Sequence, residues 1–73
     1  MAYMDLIDSI NKELASNGIE NIYDLLIKNK GYEDVLEIIR NNADTYKSLS
    51  ESDKQTFQNY IKYLHIQKKM LLN

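Results

Sequence analysis

Residues 49–73 read LSESDKQTFQNYIKYLHIQKKMLLN, and this stretch decides the fold. Ser50 is placed to accept the backbone N–H of Asp53, and Glu51 and Asp53 stand where the positive end of a helix favours carboxylates. No glycine or proline interrupts residues 54–73, and Lys68 and Lys69 come near the negative end of the helix. At about 1.5 Å per residue the predicted helix is roughly 33 Å long, the longest element of the chain. Each residue turns a helix by about 100°, which gathers Phe57, Tyr60, Ile61, Leu64 and Leu71 on one side, expected to face the core. Tyr63, Ile66 and Met70 form a second apolar seam at i, i+3 and i+7, roughly 120° or more away. Lys62 and Lys69 border that seam on one side and Gln67 on the other.

Upstream, two glycines and no proline punctuate the chain. Tyr3, Ile7, Ile10 and Leu14 recur at helical spacing, so a first helix is predicted over 3–15, with Asn17-Gly18 as its left-handed stop. A shorter helix is predicted over 21–29. Its Leu25-Leu26-Ile27 run is apolar nearly all round, which predicts the most buried element of the fold. A third helix is predicted from Glu33 to Lys47 without interruption, with Val35, Leu36, Ile39, Ala43 and Tyr46 as its stripe. Strand signals are lacking, because no stretch alternates apolar and polar residues between turn residues. The expected fold is all-α: a small bundle of about four helices with a long C-terminal helix, forming a single domain over residues 1–73.

A chain of 73 residues buries only about 60% of its unfolded surface, so the core is thin. The absence of cysteine removes disulfides and thiolate metal sites together, and it is consistent with the cytoplasmic setting expected for the protein. Asp5 and Asp8 interrupt the N-terminal apolar residues too early for a signal peptide, and no run approaches the ~18 apolar residues of a membrane span. Net charge is −2 but unevenly spread. Residues 1–53 hold eleven acids and five bases, whereas residues 54–73 hold four lysines and no acid. An acidic body therefore carries a basic last helix.

No motif for chemistry is present. His65 is the only histidine, has no carboxylate within a turn of it, and reads as a surface or boundary residue on the edge of the basic face. Asp5, Asp8 and Glu13, and the group Glu33, Asp34 and Glu37, are explained as solvated or N-terminal helix charges. Glycine-rich phosphate loops, nucleophile elbows and EF-hand spacing are missing, so no catalytic, cofactor-binding or metal-binding residue is expected and the chain reads as a non-enzyme. The second and third helices have a helix-turn-helix outline, but the would-be recognition helix begins Glu33-Asp34 and carries Glu37, which would face phosphates with like charge. Lys54, Lys62, Lys68 and Lys69 on the last helix, with Tyr60 and Tyr63 among them, make only a modest basic footprint. Nucleic acid is thus a disfavoured partner.

The run Leu49-Ser50-Glu51-Ser52-Asp53-Lys54 followed by Tyr60-Ile61-Lys62-Tyr63-Leu64 is loosely similar to the tail helix of some small phage-type repressors. The resemblance covers a third of the chain and comes without their recognition helix. The function expected is a small protein–protein interaction module, an inhibitor or modulator of a larger host or phage protein. Lys62, Tyr63, Ile66, Lys69 and Met70 would form its contact surface. The alternatives are a homodimer paired through the last helix and a weak nucleic-acid binder using its lysines. The acidic body is a further candidate working face, imitating nucleic acid.

Overall fold

Side chains from the first helix shape the middle of the molecule. The computed structural model describes residues 3–28 and 31–72, with the side chains of Tyr3, Leu71 and Leu72 outside the description, so the expected inward placement of Tyr3 and Leu71 lies outside it too. Five helices and no strand occur among the described residues: α1 (Tyr3–Ser16), α2 (Ile22–Lys28), α3 (Tyr32–Asn42), α4 (Asp44–Lys47) and α5 (Glu51–Leu72). The fold is all-α, as the helical spacing predicts.

Local signals end and begin these helices. After α1, Gly18 adopts φ 74°, while its N–H reaches the Ala15 carbonyl at 3.0 Å and the Ile19 N–H reaches the Leu14 carbonyl at 2.8 Å. This paired closure satisfies carbonyls the helix end leaves open, and it needs a residue tolerant of the left-handed region. At the start of α5 the Ser50 hydroxyl accepts the Asp53 N–H at 3.1 Å, the cap read from the sequence. Two asparagines cap α2: Asn21 Oδ1 accepts the Asp24 N–H, and Asn11 Oδ1, from α1, accepts the Ile22 N–H.

The predicted third helix is broken. Ala43 is extended (φ −125°, ψ 105°), so α3 stops at Asn42 and a single turn, α4, restarts at Asp44. Contacts from α1 and its end stabilise the break. Asn17 Nδ2 donates to the Asn42 carbonyl at 3.0 Å, and the Glu13 carboxylate accepts the Thr45 N–H at 3.1 Å. Both groups would bond within a straight helix, so each long-range partner replaces a ladder bond. Asn42 adds to the effect by donating its own Nδ2 to the Ile38 carbonyl, which competes with the backbone. Glu13 is therefore a structural acceptor rather than a solvated charge.

The core is one cluster. Leu6, Ile7, Ile10 and Leu14 of α1 meet Val35, Leu36 and Ile39 of α3, joined by Ala43, Tyr46, Phe57 and Ile61. Tyr46 and Phe57 pack edge to face with ring centroids 5.5 Å apart. Helix α3 touches the other four; α1 also meets α4, and α5 also meets α2. Tyr60 and Leu64 are half-buried at the edge of this core. Helix α2 has the largest share of buried residues among the described ones, as expected, but it is not enclosed all round. Ile22, Leu25 and Leu26 are buried, but Tyr23 and Ile27 share its outer side and are about half exposed. A helix of two turns has neighbours on one side only.

Glu13→Ala is expected to cost about 1–2 kcal/mol in urea unfolding, and Glu13→Gln, which keeps an acceptor, distinctly less. A Glu13→Ala loss no larger than that of the exposed control Asp8→Ala would show that the break in α3 does not depend on this carboxylate.

Candidate functional site

Helix α5 runs nearly the length of the molecule, whose principal extents are 35 × 27 × 19 Å. Its inner side carries Phe57 and Ile61, both fully buried, and continues toward the C-terminus through two polar residues. His65 is 8% exposed and Lys68 9%. Both are corrections. His65 is interior rather than at the surface or boundary, and Lys68 leaves the basic face altogether.

Lys68 Nζ donates to the Leu26 carbonyl, in the last turn of α2. That carbonyl sits in the last described turn of α2, toward the negative end of its dipole. The lysine stem lies among buried side chains while the ammonium closes α2. His65 packs against Tyr32 with ring centroids 6.1 Å apart, and its Nδ1 is buried without a hydrogen-bond partner. Burial, helped by the nearby Lys68 and Lys69 ammonium groups, holds the imidazole below its ordinary pKa of 6.5. Tyr32 also lies under Lys62, whose Nζ is 5.9 Å from the ring centroid. The start of α3 is thus fastened to the C-terminal half of α5. Further along, Arg40 and Gln58 line one depression with Tyr32, so the two helices run antiparallel.

The opposite side of α5 is where the predicted contact residues stand. Tyr63 is 55% exposed, Ile66 49% and Met70 75%. Gln67 Nε2 donates to the Tyr63 hydroxyl at 2.7 Å, which ties the ring along the helix. Lys62 and Lys69 are exposed on the edge toward α3. Lys69 lines a shallow groove with Gly31, Tyr32, Glu33, Asp34 and His65. The ion pairs formed among the described residues are Lys28–Glu20, Lys47–Asp44 and Lys54–Glu51, so neither Lys62 nor Lys69 is paired with a carboxylate there. All five predicted residues occupy one continuous outer strip over the last three turns. N-terminal to it, the same side of α5 carries the polar Ser52, Gln55, Thr56 and Asn59.

Sequence reasoning missed Tyr32, His65 and Lys68 as the residues that orient this strip. The signal was available: Phe57, Ile61, Leu64 and Lys68 recur at i, i+4, i+7 and i+11. Among the described residues, no group of three or more His, Asp or Glu side chains could hold a metal ion, and no helix is long and apolar enough to cross a membrane.

Neighbouring lysines therefore differ in role. Lys68→Met is expected to cost about 1–3 kcal/mol, because it removes the buried bond to the Leu26 carbonyl, while Lys69→Met should stay within about 0.5 kcal/mol of wild type. Equal values in chemical unfolding would remove Lys68 as a clamp. His65 sets a second test. Its folded pKa lies below the unfolded value, so the unfolded chain binds the proton first. Its contribution is complete above about pH 6.5 and is lost as the pH falls below that, until the folded imidazole is protonated as well. Stability should decline between about pH 7 and 5 in wild type and less in His65→Phe, which keeps the ring packing on Tyr32. Matching slopes would exclude His65 as the cause. No family model matches the chain, and no curated protein or solved structure matches it either.

Proposed function

We propose that the chain is a non-enzymatic protein-interaction module that docks onto a larger protein through the outer face of α5, as an inhibitor or modulator of that protein. The observation that carries this reading is the exposure of Tyr63, Ile66 and Met70 at consecutive helical positions, on the side of α5 opposite its buried stripe. Apolar side chains scattered singly over a surface need no explanation, but three in register along one rigid rod form a strip. Tyrosine and methionine are enriched at interface cores, and a preformed helix presents them with little ordering left to do. The flanking lysines and the neutral Gln67 make the polar rim such a contact needs. The setting proposed is cytoplasmic, in keeping with a chain that has no cysteine.

Protein is favoured over nucleic acid as the partner because the basic surplus of α5 is partly used inside the molecule. Lys68 bonds inward, and Lys54 pairs with Glu51 and lies over the Tyr46 ring. Two exposed cations beside the strip are few for a phosphate backbone.

The test compares wild type with Tyr63→Ala/Ile66→Asp as bait in the cell that makes the chain. The double variant should lose the captured protein while its circular dichroism and melting temperature stay close to wild type. Undiminished capture would end the proposal, and so would collapse of the fold, since the strip would then be core.

A further inference from the structure

We infer that the surface covering this strip is an amphipathic α-helix of the partner, with carboxylates along the border of its own apolar stripe. This rests on the reading of the α5 outer face as a docking surface and adds the chemistry of the occupant. The first argument is spacing. Tyr63, Ile66 and Met70 are separated by three and then four residues, the spacing of one heptad, so a facing helix can seat its side chains between them over about two turns. A convex rod with side chains at that repeat fits between the side chains of a second rod.

The second argument is charge. Lys62 and Lys69 are seven residues apart, so they stand on the same edge of the seam, in the places that face a partner helix's flanking residues. Both are exposed, and neither meets a carboxylate in an ion pair among the described residues. Lys62 is held over Tyr32, which fixes its position without neutralising it. The other edge carries Gln67, which is neutral and bonded to Tyr63. Glu33 and Asp34 lie in the groove on the α3 side of Lys69, so partner carboxylates are excluded from the groove and directed to the outer side of the lysines.

The α5 helix of a second copy does not supply that complement. In an antiparallel two-fold pairing through the strip, the edge bearing Lys62 and Lys69 meets the same edge of the other copy, and Lys62 comes beside Lys69. In a parallel pairing Lys62 faces Gln67. The carboxylates of α5, Glu51 and Asp53, lie in its first turn, and a register that brings Glu51 to Lys69 sets Ile66 among the polar Ser52 and Gln55. Neither α5-to-α5 pairing, parallel or antiparallel, puts an acid on the lysines and covers the seam together.

The experiment uses the full chain and two synthetic three-heptad peptides with identical Leu and Ile at the seam positions. One peptide has Glu at both flanking positions and the other has Lys. Fluorescence anisotropy of each labelled peptide is followed at ~50 mM and ~300 mM salt. The Glu peptide is expected to bind at least about tenfold more tightly than the Lys peptide at low salt, and the preference should shrink several-fold at high salt. Lys62→Glu/Lys69→Glu should reverse it, and Ile66→Asp should abolish binding of both peptides. Equal or tighter binding of the Lys peptide, still sensitive to Ile66→Asp, would overturn the acidic-helix inference and leave the docking face standing. Binding of the Glu peptide that is indifferent to Ile66→Asp would overturn the docking face itself. Sedimentation equilibrium showing a dimer of the chain that Ile66→Asp dissociates would assign the strip to a second copy and overturn the inference.

Discussion

The ammonium of Lys68 against the last turn of α2 fixes how the outer half of α5 is rotated. The bond joins residues 42 apart in sequence, and it lies beyond Phe57 and Ile61, where the apolar stripe has given way to polar residues. A lysine is long enough to bury its stem and still reach an acceptor at the helix end, which an aliphatic side chain cannot do. Its inward direction has a geometric corollary. At about 100° per residue, positions two before and two after Lys68 lie about 160° away on either side, so Ile66 and Met70 must face outward. The exposure of the strip and the burial of Lys68 are one fact about helix phase.

How much of this could be read from the sequence depends on how local each cause is. The Ser50 cap, the Gly18 stop and the stripe Val35, Leu36, Ile39, Ala43 and Tyr46 depend on residues within a turn or two, and the structure places them as their spacing predicts. The break at Ala43 is of another kind. Nothing in the 33–47 stretch forbids a continuous helix, and the bonds that stabilise the interruption come from Asn17 and Glu13, 25 and 32 residues upstream. For the site, the five strip residues were legible because periodicity alone separates them from the core side. For the residues that orient the strip, spacing pointed to Lys68 but residue type outweighed it. Residue type argued that a lysine and a histidine belong outside, and only the position of the Leu26 carbonyl and the Tyr32 ring reverses that.

The charge pattern also takes a different meaning in three dimensions. A run of four lysines without an acid looks like a single basic face. In the fold the four point to different tasks: Lys54 to Glu51 and the Tyr46 ring, Lys68 to α2, Lys62 to the Tyr32 ring, and Lys69 to the rim of the strip. Three of the four therefore touch the body, and of these only Lys62 stays exposed. What remains is a pair of cations on one edge of three apolar side chains. That is too little charge for long-range attraction.

The composition of the strip bears on whether a lone helix would carry it. Tyrosine and isoleucine are weaker helix formers than glutamine, lysine or arginine, and at exposed positions they gain no burial to offset the difference. A helix optimised only to stand in solvent would place residues such as glutamine at 63 and 66, as it does at Gln55 on the same side. Tyr63 and Ile66 thus gain no burial from the fold in return for their weaker helix propensity, and only Tyr63 has a helix-stabilising partner, Gln67. The hydrogen bond from Gln67 to the Tyr63 hydroxyl limits the ring to one side before anything docks, which reduces the side-chain entropy still to be lost on contact. A surface group that gains no burial within its own fold and is already partly ordered is what supports the proposed docking face.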